Sequence, residues 1–220
     1  MKNKKILFLG KKNDTNTTNA ASVLKENFLE VFTYFGEWGD PFPEDLIYWN
    51  GDIIISYLSR WKIPKSLLDK TELCINFHPG SHEFPGIGCT NFALYNEAKI
   101  YGVCCHHISE DIDAGSIISV DTFPILPTDN VKSLLDKTYA YQMVQFYKII
   151  DYIIQGKELP SSSLNWKRKP YKRSEFEELK IISTEMNEKE VARRIRATSY
   201  GQFQPKIVIG NHIFDYHPEK

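Results

Sequence analysis

Short apolar runs alternate with amphipathic stretches along the first part of the chain. Three runs have the length and composition of buried β-strands: Ile6–Leu9, Glu30–Phe35 and Asp52–Tyr57. The stretch Asn19–Asn27, between the first two, has the apolar spacing of a helix. A strand, a helix and a second strand in this order are typical of a βαβ unit, so the pattern predicts a parallel sheet covered by helices.

The alternation continues to about residue 158. The further predicted elements are a short helix at Pro64–Asp69, a strand at Leu73–Phe77, a helix at Thr90–Lys99 and strands at Val103–Ile108 and Ser116–Phe123. The long stretch Asn130–Gln155 carries apolar residues at helical spacing and is followed by Gly156. We therefore predict an α/β fold with a Rossmann-like, doubly wound and mostly parallel sheet in residues 1–158.

The chain changes character after Pro160. A serine-rich connector leads into a basic run, Trp166–Arg173, which indicates a boundary between two units. The predicted elements beyond it are a helix at Asn187–Ala197 and two strands, Lys206–Ile209 and His212–Tyr216, joined by Gly210-Asn211. Residues 159–220 are therefore predicted to form a C-terminal appendage of a helix and a β-hairpin. The hairpin is a candidate contact between the subunits of a homodimer.

Size and charge exclude several classes of protein. With 220 residues, of which 42% are hydrophobic, the chain can bury a substantial core. Its formal net charge of −1 provides no overall field that would attract nucleic acid or an anionic membrane. The apolar run near the N-terminus is too short for a signal peptide, and no run reaches the roughly 18 residues of a membrane span. We expect a cytoplasmic protein with neither a nucleic-acid partner nor a membrane partner.

The cysteines argue against a structural metal. They are Cys74, Cys89, Cys104 and Cys105, and none belongs to a Cys-x-x-Cys pair. This spacing suits neither a disulfide framework nor a zinc cage. We expect reduced thiols and no bound metal, as in a cytoplasmic enzyme.

Three polar residues are predicted to lie where an α/β sheet binds ligands. Asn76 and His78 are two residues apart at the end of an apolar strand, so both side chains point to the same face. The Gly- and Pro-rich loop 79–88 leaves from the carboxyl end of that strand, where ligands bind in such sheets. Asp113 lies in a turn between two strands and can pair with an imidazole. The alternative is that Asn76 and His78 only cap a strand and that Asp113 is an ordinary turn residue.

Three features resemble those of the 10-formyltetrahydrofolate-dependent formyltransferases. They are Asn76-Phe77-His78-Pro79, the Pro- and Gly-rich loop after it, and the turn Asp113-Ala114-Gly115 at the family's spacing. The resemblance implies the formyltransferase fold and 10-formyltetrahydrofolate as the co-substrate. It also implies that Asn76, His78 and Asp113 are the catalytic residues.

The chemistry of formyl transfer explains why these residue types are needed. The Asn76 amide and a protonated His78 can each donate a hydrogen bond to the oxyanion that develops when an amine attacks the formyl carbon. Asp113 stabilises the imidazolium by its charge and can accept the amine proton through water. His106 and His107 alternate on a predicted strand, so only one can face this site, and His106 is favoured.

The resemblance also implies where the two ligands bind. The folate in such enzymes is held by the loop after the third strand and by the turn before the catalytic aspartate, which here are Leu58, Arg60, Ile63, Asp111 and Ile112. The alternative for the first loop is that it only packs Trp61 into the core. The residues expected to bind the acceptor substrate are Phe84, Pro85, Gly86 and Asn91.

The acceptor amine is predicted to belong to a nucleotide-linked sugar. The loop after the first strand, Gly10–Asn16, lacks the phosphate-binding pattern of enzymes that use glycinamide ribonucleotide, and the segment after the core is short for the barrel of methionyl-tRNA enzymes. The resemblance is greatest to amino-sugar formyltransferases of surface-polysaccharide pathways. We expect a dTDP-linked 3-amino- or 4-amino-deoxysugar, with the run Trp166–Arg173 as a candidate for its pyrophosphate. Glycinamide ribonucleotide, methionyl-tRNA, hydrolysis of formyl-folate and binding without turnover stay as alternatives.

Overall fold

The computed structural model describes residues 3–201 and 203–217, and its centre is a six-stranded sheet. The strands are β1 (Lys5–Lys11), β2 (Glu30–Gly36), β3 (Ile53–Tyr57), β4 (Leu73–His78), β5 (Ile100–His107) and β6 (Ile117–Pro124). Their order in the sheet is β2-β1-β3-β4-β5-β6. The predicted α/β fold is confirmed, and β3, buried along its whole length, is apolar because helices and loops cover both faces.

The sheet is parallel on one side and antiparallel on the other. The first four strands, β1 to β4, run parallel to one another. β5 pairs antiparallel with both β4 and β6. β5 and β6 are joined by a short turn, 108–116, and so short a connection can only join antiparallel strands. The prediction of a mostly parallel sheet is confirmed, and the turn brings Asp113 back towards β4.

The helices of the core are bounded by local capping signals. They are α1 (Thr15–Asn27), α2 (Lys65–Leu68), α3 (Cys89–Tyr95) and α4 (Val131–Gln155), with a short 3-10 helix at Glu44–Tyr48. α1 begins four residues earlier than predicted because Asp14 Oδ1 accepts a hydrogen bond from Thr17 N at 3.0 Å. α3 ends four residues earlier than predicted, since Glu97 adopts a left-handed conformation and the chain enters β5 at Ile100.

The long helix α4 supports the strand that carries the predicted catalytic residues. Its bounds agree with the prediction: Asn130 caps its start, and Gly156 ends it in a left-handed conformation. Phe146 packs against Tyr57 of β3 and Phe77 of β4, with ring centroids 5.5 and 5.1 Å apart. Within the described residues, neither α4 nor any other helix is long and apolar enough to cross a membrane.

The tail contains the predicted helix and hairpin and two elements that were not predicted. Its elements are α5 (Arg173–Leu179), β7 (Ile181–Ser183), α6 (Glu188–Thr198), β8 (Lys206–Ile209) and β9 (His212–Asp215). β7 lies parallel to β8 and extends the hairpin to a three-stranded sheet. Ala197 of α6 and Phe176 of α5 belong to one apolar cluster with Phe92 of α3, so the tail packs on the core. The domain boundary after residue 158 stays a prediction.

Candidate active site

Pairing in the sheet brings the predicted catalytic residues to one place. Asn76 lies in register with Ser56 of β3 on one side and with His106 of β5 on the other. His78 is the last residue of β4, at its carboxyl end. Asp113 follows β5 in the turn 108–116 and adopts a left-handed φ of 44°, a conformation that Asp tolerates better than most side chains. The turn returns its carboxylate to the end of β4.

Asp113 is the centre of the site. Its Oδ2 lies 3.2 Å from His78 Nδ1 and accepts a hydrogen bond from Gly86 N at 2.8 Å. Its Oδ1 lies 3.3 Å from His106 Nε2. His78 and Asp113 are 4% and 8% exposed, while Asn76 is only partly buried and is therefore the member open to a ligand. The structure thus brings Asn76, His78 and Asp113 together, and His106 with them.

Asp113 is held in its charged form. Burial by itself would raise the pKa of this carboxyl group, but the charge of His78 and the hydrogen bond from the Gly86 amide both lower it. The lowering effects are stronger, and the pKa of Asp113 lies well below its usual range. A buried carboxylate that stays ionised can stabilise a positive imidazole beside it.

The two imidazoles have different hydrogen-bond partners. His78 Nε2 donates to the Phe84 carbonyl at 3.0 Å, so its Nδ1 faces Asp113. His106 Nδ1 donates to the His107 carbonyl at 2.8 Å, which leaves Nε2 for either Asn76 or Asp113. Nε2 cannot accept from the Asn76 amide and donate to Asp113 at once. Because the contact with Asn76 Nδ2 is the shorter, 3.0 against 3.3 Å, we assign His106 as the neutral ring that accepts from Asn76.

Trp166 completes the site and was not predicted as part of it. Its ring packs edge-on against His106 and His78, with centroids 5.1 and 5.9 Å apart, and its Nε1 donates to the Gly115 carbonyl at 2.8 Å. In the sequence, Trp166 is only the first residue of the predicted basic run. The available signal was a single tryptophan in a serine-rich, polar connector, where an aromatic side chain needs a partner to pack against.

Several polar groups of the residues expected to bind the acceptor already form hydrogen bonds with other parts of the protein. Phe84 is buried against Tyr101, and its carbonyl is held by His78. The Pro85 carbonyl accepts from Tyr171 N at 2.9 Å. Gly86 has a φ of +89°, and a Cβ there would lie 2.5 Å from the Tyr171 backbone. The structure therefore gives these loop residues a supporting role around His78 and Asp113, and their contact with an acceptor stays a prediction.

Asn91 is likewise engaged by the protein. Its Nδ2 donates to the Ala197 carbonyl at 2.7 Å, which ties α3 to the last turn of α6. The amide donor predicted to bind the acceptor is thus occupied by the tail. A sequence pattern cannot reveal such a contact, because 106 positions separate the two residues.

The residues expected to hold folate lie on two facing loops. Leu58, with a left-handed φ of 55°, and Ile63 are buried in different apolar clusters. Asp111 and Ile112 are exposed, Ile112 by 58%. A cavity of about 190 Å³ lies between the loops and is lined by Lys62, Ile63, Pro64, Lys65 and Glu110. The open cavity and the exposed Ile112 provide an apolar surface beside the site.

The predicted alternative for the first loop is realised as well. Trp61 packs edge-on against Phe42, with ring centroids 6.1 Å apart, and its Nε1 donates to the Asp40 carbonyl at 3.1 Å. Arg60 does not face the cavity, since its guanidinium lies over Trp38 with 5.0 Å between the guanidinium carbon and the ring centroid. The loop therefore packs Trp61 against the core, while Ile63 of the same loop lines the cavity.

The described residues contain no cluster of three or more His, Cys, Asp or Glu side chains placed to hold a metal ion. The four cysteines are free thiols and are buried. Burial raises the pKa of Cys74 to about 11, so this thiol is neutral at physiological pH.

The chain matches known proteins over the segment that carries this site. Residues 50–148 match the formyl transferase family. A methionyl-tRNA formyltransferase of Streptococcus equi subsp. equi is 28% identical over 130 residues, which are 59% of this chain. The matched stretch is 42% of that protein's length, so the chain spans less than half of the curated relatives it matches.

Two solved structures share the fold over nearly the whole chain. A sugar N-formyltransferase from a Shewanella species has a TM-score of 0.77 at 17% identity over 97% of each chain. An N-formyltransferase from Helicobacter canadensis, in complex with folinic acid and dTDP-3-aminofucose, has a TM-score of 0.72 at 19% identity over 94% of this chain and 84% of that one. Identities this low concern the fold alone. The segment that matches the formyl transferase family, residues 50–148, is the one that contains Asn76, His78 and Asp113.

Proposed function

We propose that this protein is an N-formyltransferase that moves the formyl group of 10-formyltetrahydrofolate to the amino group of a dTDP-linked amino-deoxysugar. The observation that carries the proposal is the assembly around Asp113: an ionised carboxylate that contacts the buried imidazole of His78, with the partly exposed amide of Asn76 beside His106. This arrangement provides hydrogen-bond donors and a proton carrier without a covalent nucleophile, which is what transfer between two amines requires.

Each residue has a distinct role in the proposed reaction. The Asn76 amide donates one N–H to His106, and its second N–H is free to stabilise the negative charge that develops on the formyl oxygen. His78, with Asp113 at Nδ1, stabilises the developing negative charge by its own positive charge, and it passes a proton to the departing amine when Nε2 leaves the Phe84 carbonyl. Asp113 is ionised before the reaction and favours the imidazolium. The proton of the attacking amine reaches Asp113 through water and passes on to His78, which has given its own proton to the departing amine, so both groups return to their starting state.

The folate would lie between the two loops that face each other across the cavity. Ile63 lines that cavity and the exposed Ile112 lies on the facing loop, and both are apolar side chains suited to a flat ring. Leu58, Asp111 and the Arg60 backbone are the other residues we place at the folate. When bound, 10-formyltetrahydrofolate supplies the formyl group and a nitrogen leaving group. Because the cavity is smaller than a whole ligand site, it fits one part of the molecule only.

The acceptor class is supported by likeness to a protein with a bound sugar. The Helicobacter canadensis enzyme, which shares the fold, was solved with dTDP-3-aminofucose and folinic acid. The absence of a phosphate-binding pattern in Gly10–Asn16 argues against glycinamide ribonucleotide. We place the protein in the cytoplasm, in the synthesis of a surface polysaccharide such as the O-antigen of lipopolysaccharide.

We also propose a homodimer formed through the C-terminal hairpin. Ile209, Ile213 and Phe214 are apolar and 50%, 65% and 52% exposed on β8 and β9. A second copy of the hairpin would cover them. Multi-angle light scattering of Phe214→Lys against the unchanged protein tests this, and an unchanged dimer mass in the variant would contradict it.

The function is tested with purified protein, 10-formyltetrahydrofolate and a panel of acceptors. The panel contains dTDP-linked 3-amino- and 4-amino-deoxysugars, glycinamide ribonucleotide and methionyl-tRNA, with product read by mass spectrometry. We expect a product heavier by one formyl group with a sugar only. Formylation of methionyl-tRNA alone would instead assign the activity of the Streptococcus relative, and formate release without an acceptor would assign a hydrolase. No product from any sugar contradicts the proposal.

A further inference from the structure

Two arginines meet at one exposed tryptophan near the site. Trp38, in the loop after β2, is 52% exposed. The guanidinium carbon of Arg60 lies 5.0 Å from its ring centroid and that of Arg173 lies 4.9 Å away. The two guanidinium groups are therefore no further apart than the sum of these distances. We name Trp38, Arg60 and Arg173 the Trp38 cluster.

Arg60 has no anionic partner among residues 3–201 and 203–217. It is half-buried, its Nε is buried without a hydrogen-bond partner, and no carboxylate in those ranges lies within ion-pair distance of it. Burial lowers the pKa of the Arg60 guanidinium, and the charge of Arg173 lowers it as well. Tyr139 and Glu37 act in the opposite direction and raise it. A half-buried guanidinium whose Nε has no hydrogen-bond partner is unfavourable, so the position indicates a ligand with negative charge.

The cluster is held in place before any ligand arrives. The Trp61 indole, through Nε1, binds the Asp40 carbonyl and fixes the loop that carries Trp38. A Cβ at Gly36, at the start of that loop, would lie 2.3 Å from the Trp61 ring, so the two segments are in close contact. These contacts restrain the loop that carries Trp38, and a site that is ordered in advance loses less entropy on binding.

The cluster and the catalytic residues lie on the same edge of the sheet. Arg60 follows β3, which pairs with β4 at Asn76. Arg173 follows, on one continuous segment, from Trp166, whose ring packs against His78. Carboxyl ends of neighbouring parallel strands form one ligand-binding edge. A single ligand can thus place an amine at Asn76 and an anion at the Trp38 cluster.

We infer that Arg60 and Arg173, which both contact Trp38, bind the diphosphate of the nucleotide-linked acceptor; this inference rests on the proposed function. A diphosphate offers several oxygens to two guanidinium groups, which bind such oxygens in pairs. Arg168 of the same basic run is less available, since its Nη2 lies 2.9 Å from Glu175 and its guanidinium stacks closely on Tyr171, whereas Arg173 Nη1 has a longer contact of 3.7 Å with Glu177. Of the basic run Trp166–Arg173, the proposed diphosphate site therefore includes Arg173 and leaves out Arg168.

Calorimetric titration without any turnover tests the inference. Inorganic diphosphate, dTDP and folinic acid are titrated into the unchanged protein, Arg60→Met, Arg173→Met and the control Arg193→Met. The control removes an arginine that also stacks on an aromatic ring, Tyr95, but is paired with Glu190. We expect diphosphate and dTDP to bind at least about tenfold more weakly to both test variants, because each loses charge-assisted hydrogen bonds. Folinic acid affinity and the control are expected to be unchanged.

Two results would overturn the inference. One is dTDP affinity within about twofold of the unchanged protein in both test variants, a difference too small for a lost charged hydrogen bond. The other is a loss confined to folinic acid, which would place the folate glutamate at the cluster. Arg173, whose side chain is 42% exposed, decides the matter if Arg60→Met fails to fold. If the test variants lose dTDP binding but no sugar is formylated, the proposed function fails and the anion site stands.

Discussion

Asn76 Nδ2 lies 3.0 Å from His106 Nε2, across the β4–β5 pair. Because His106 Nδ1 donates to the His107 carbonyl, Nε2 of the neutral ring carries a lone pair and accepts from the amide. This bond sets which end of the Asn76 amide faces the cleft. His106 is thus a positioning residue for the group that we propose binds the formyl oxygen.

Replacing His106 should affect turnover more than binding. His106→Leu removes a hydrogen bond of about 1–1.5 kcal/mol, so we expect kcat to fall about tenfold with little change in the KM for either substrate. His106→Gln can still offer an acceptor to Asn76 and should restore part of kcat. Steady-state kinetics of the two variants provide the measurement. Equal losses in both, or a change confined to KM, would contradict the positioning role.

Removing either proposed donor should nearly abolish transfer. Asn76→Ala and His78→Ala should each lower kcat by roughly 10²–10³, the usual effect of losing one oxyanion donor. Asn96→Ala is the matched control, since Asn96 is an exposed asparagine that donates to the Tyr171 hydroxyl at 3.2 Å outside the trio. Single-turnover rates with the formylated sugar as readout decide the point. Near-normal rates in Asn76→Ala would remove it from the catalytic assignment.

Asp113 should contribute stability that depends on pH. Its pKa is lowered in the folded protein, so the contribution is fully present above the unfolded value of about 4 and is lost as pH falls from there towards the folded value. Asp113→Asn, which tolerates the left-handed φ of this position, should lower the free energy of unfolding by about 3 kcal/mol at pH 7.

The difference between the two proteins should shrink below pH 4, when the unfolded aspartate binds a proton. Urea unfolding of both proteins from pH 7 to pH 3 gives the comparison, with Asp69→Asn, an exposed aspartate on a surface ion pair, as the control. A difference that is constant over this range would show that the charge of Asp113 does not stabilise the fold.

Trp166 should matter for both stability and turnover. Trp166→Ala removes a ring that packs on two imidazoles, and we expect a loss of about 2 kcal/mol in unfolding free energy together with about a tenfold lower kcat. Trp166→Phe keeps an aromatic edge but loses the hydrogen bond to Gly115, worth about 1 kcal/mol. Leu164→Ala, on the same connector and 41% exposed, should change neither quantity. Thermal unfolding and kinetics of the three variants test the assignment.

Local sequence signals were sufficient for the framework of the fold, and they predict the trio. The strand β4 and the helix α4 follow from apolar spacing, and the Asn130 and Gly156 caps follow from residue type. Asn76 and His78 share a face because side chains in a strand alternate. These conclusions need only neighbours along the chain, which is why the sequence by itself determined them.

Other features depend on contacts between distant segments, and only the tertiary structure decided them. Trp166 lies on His106, and Asn91 is bound by Ala197, because the tail folds back over α3 and the loop 79–88. Whether an asparagine is free to bind a ligand or is held by a carbonyl depends on what packs beside it, and residue type does not encode that. The same reason explains Arg60, whose guanidinium turns to Trp38, a residue of another strand's loop. Spacing along the chain determined the strands and the residue types that we propose for catalysis, and packing between segments decided which side chains support them.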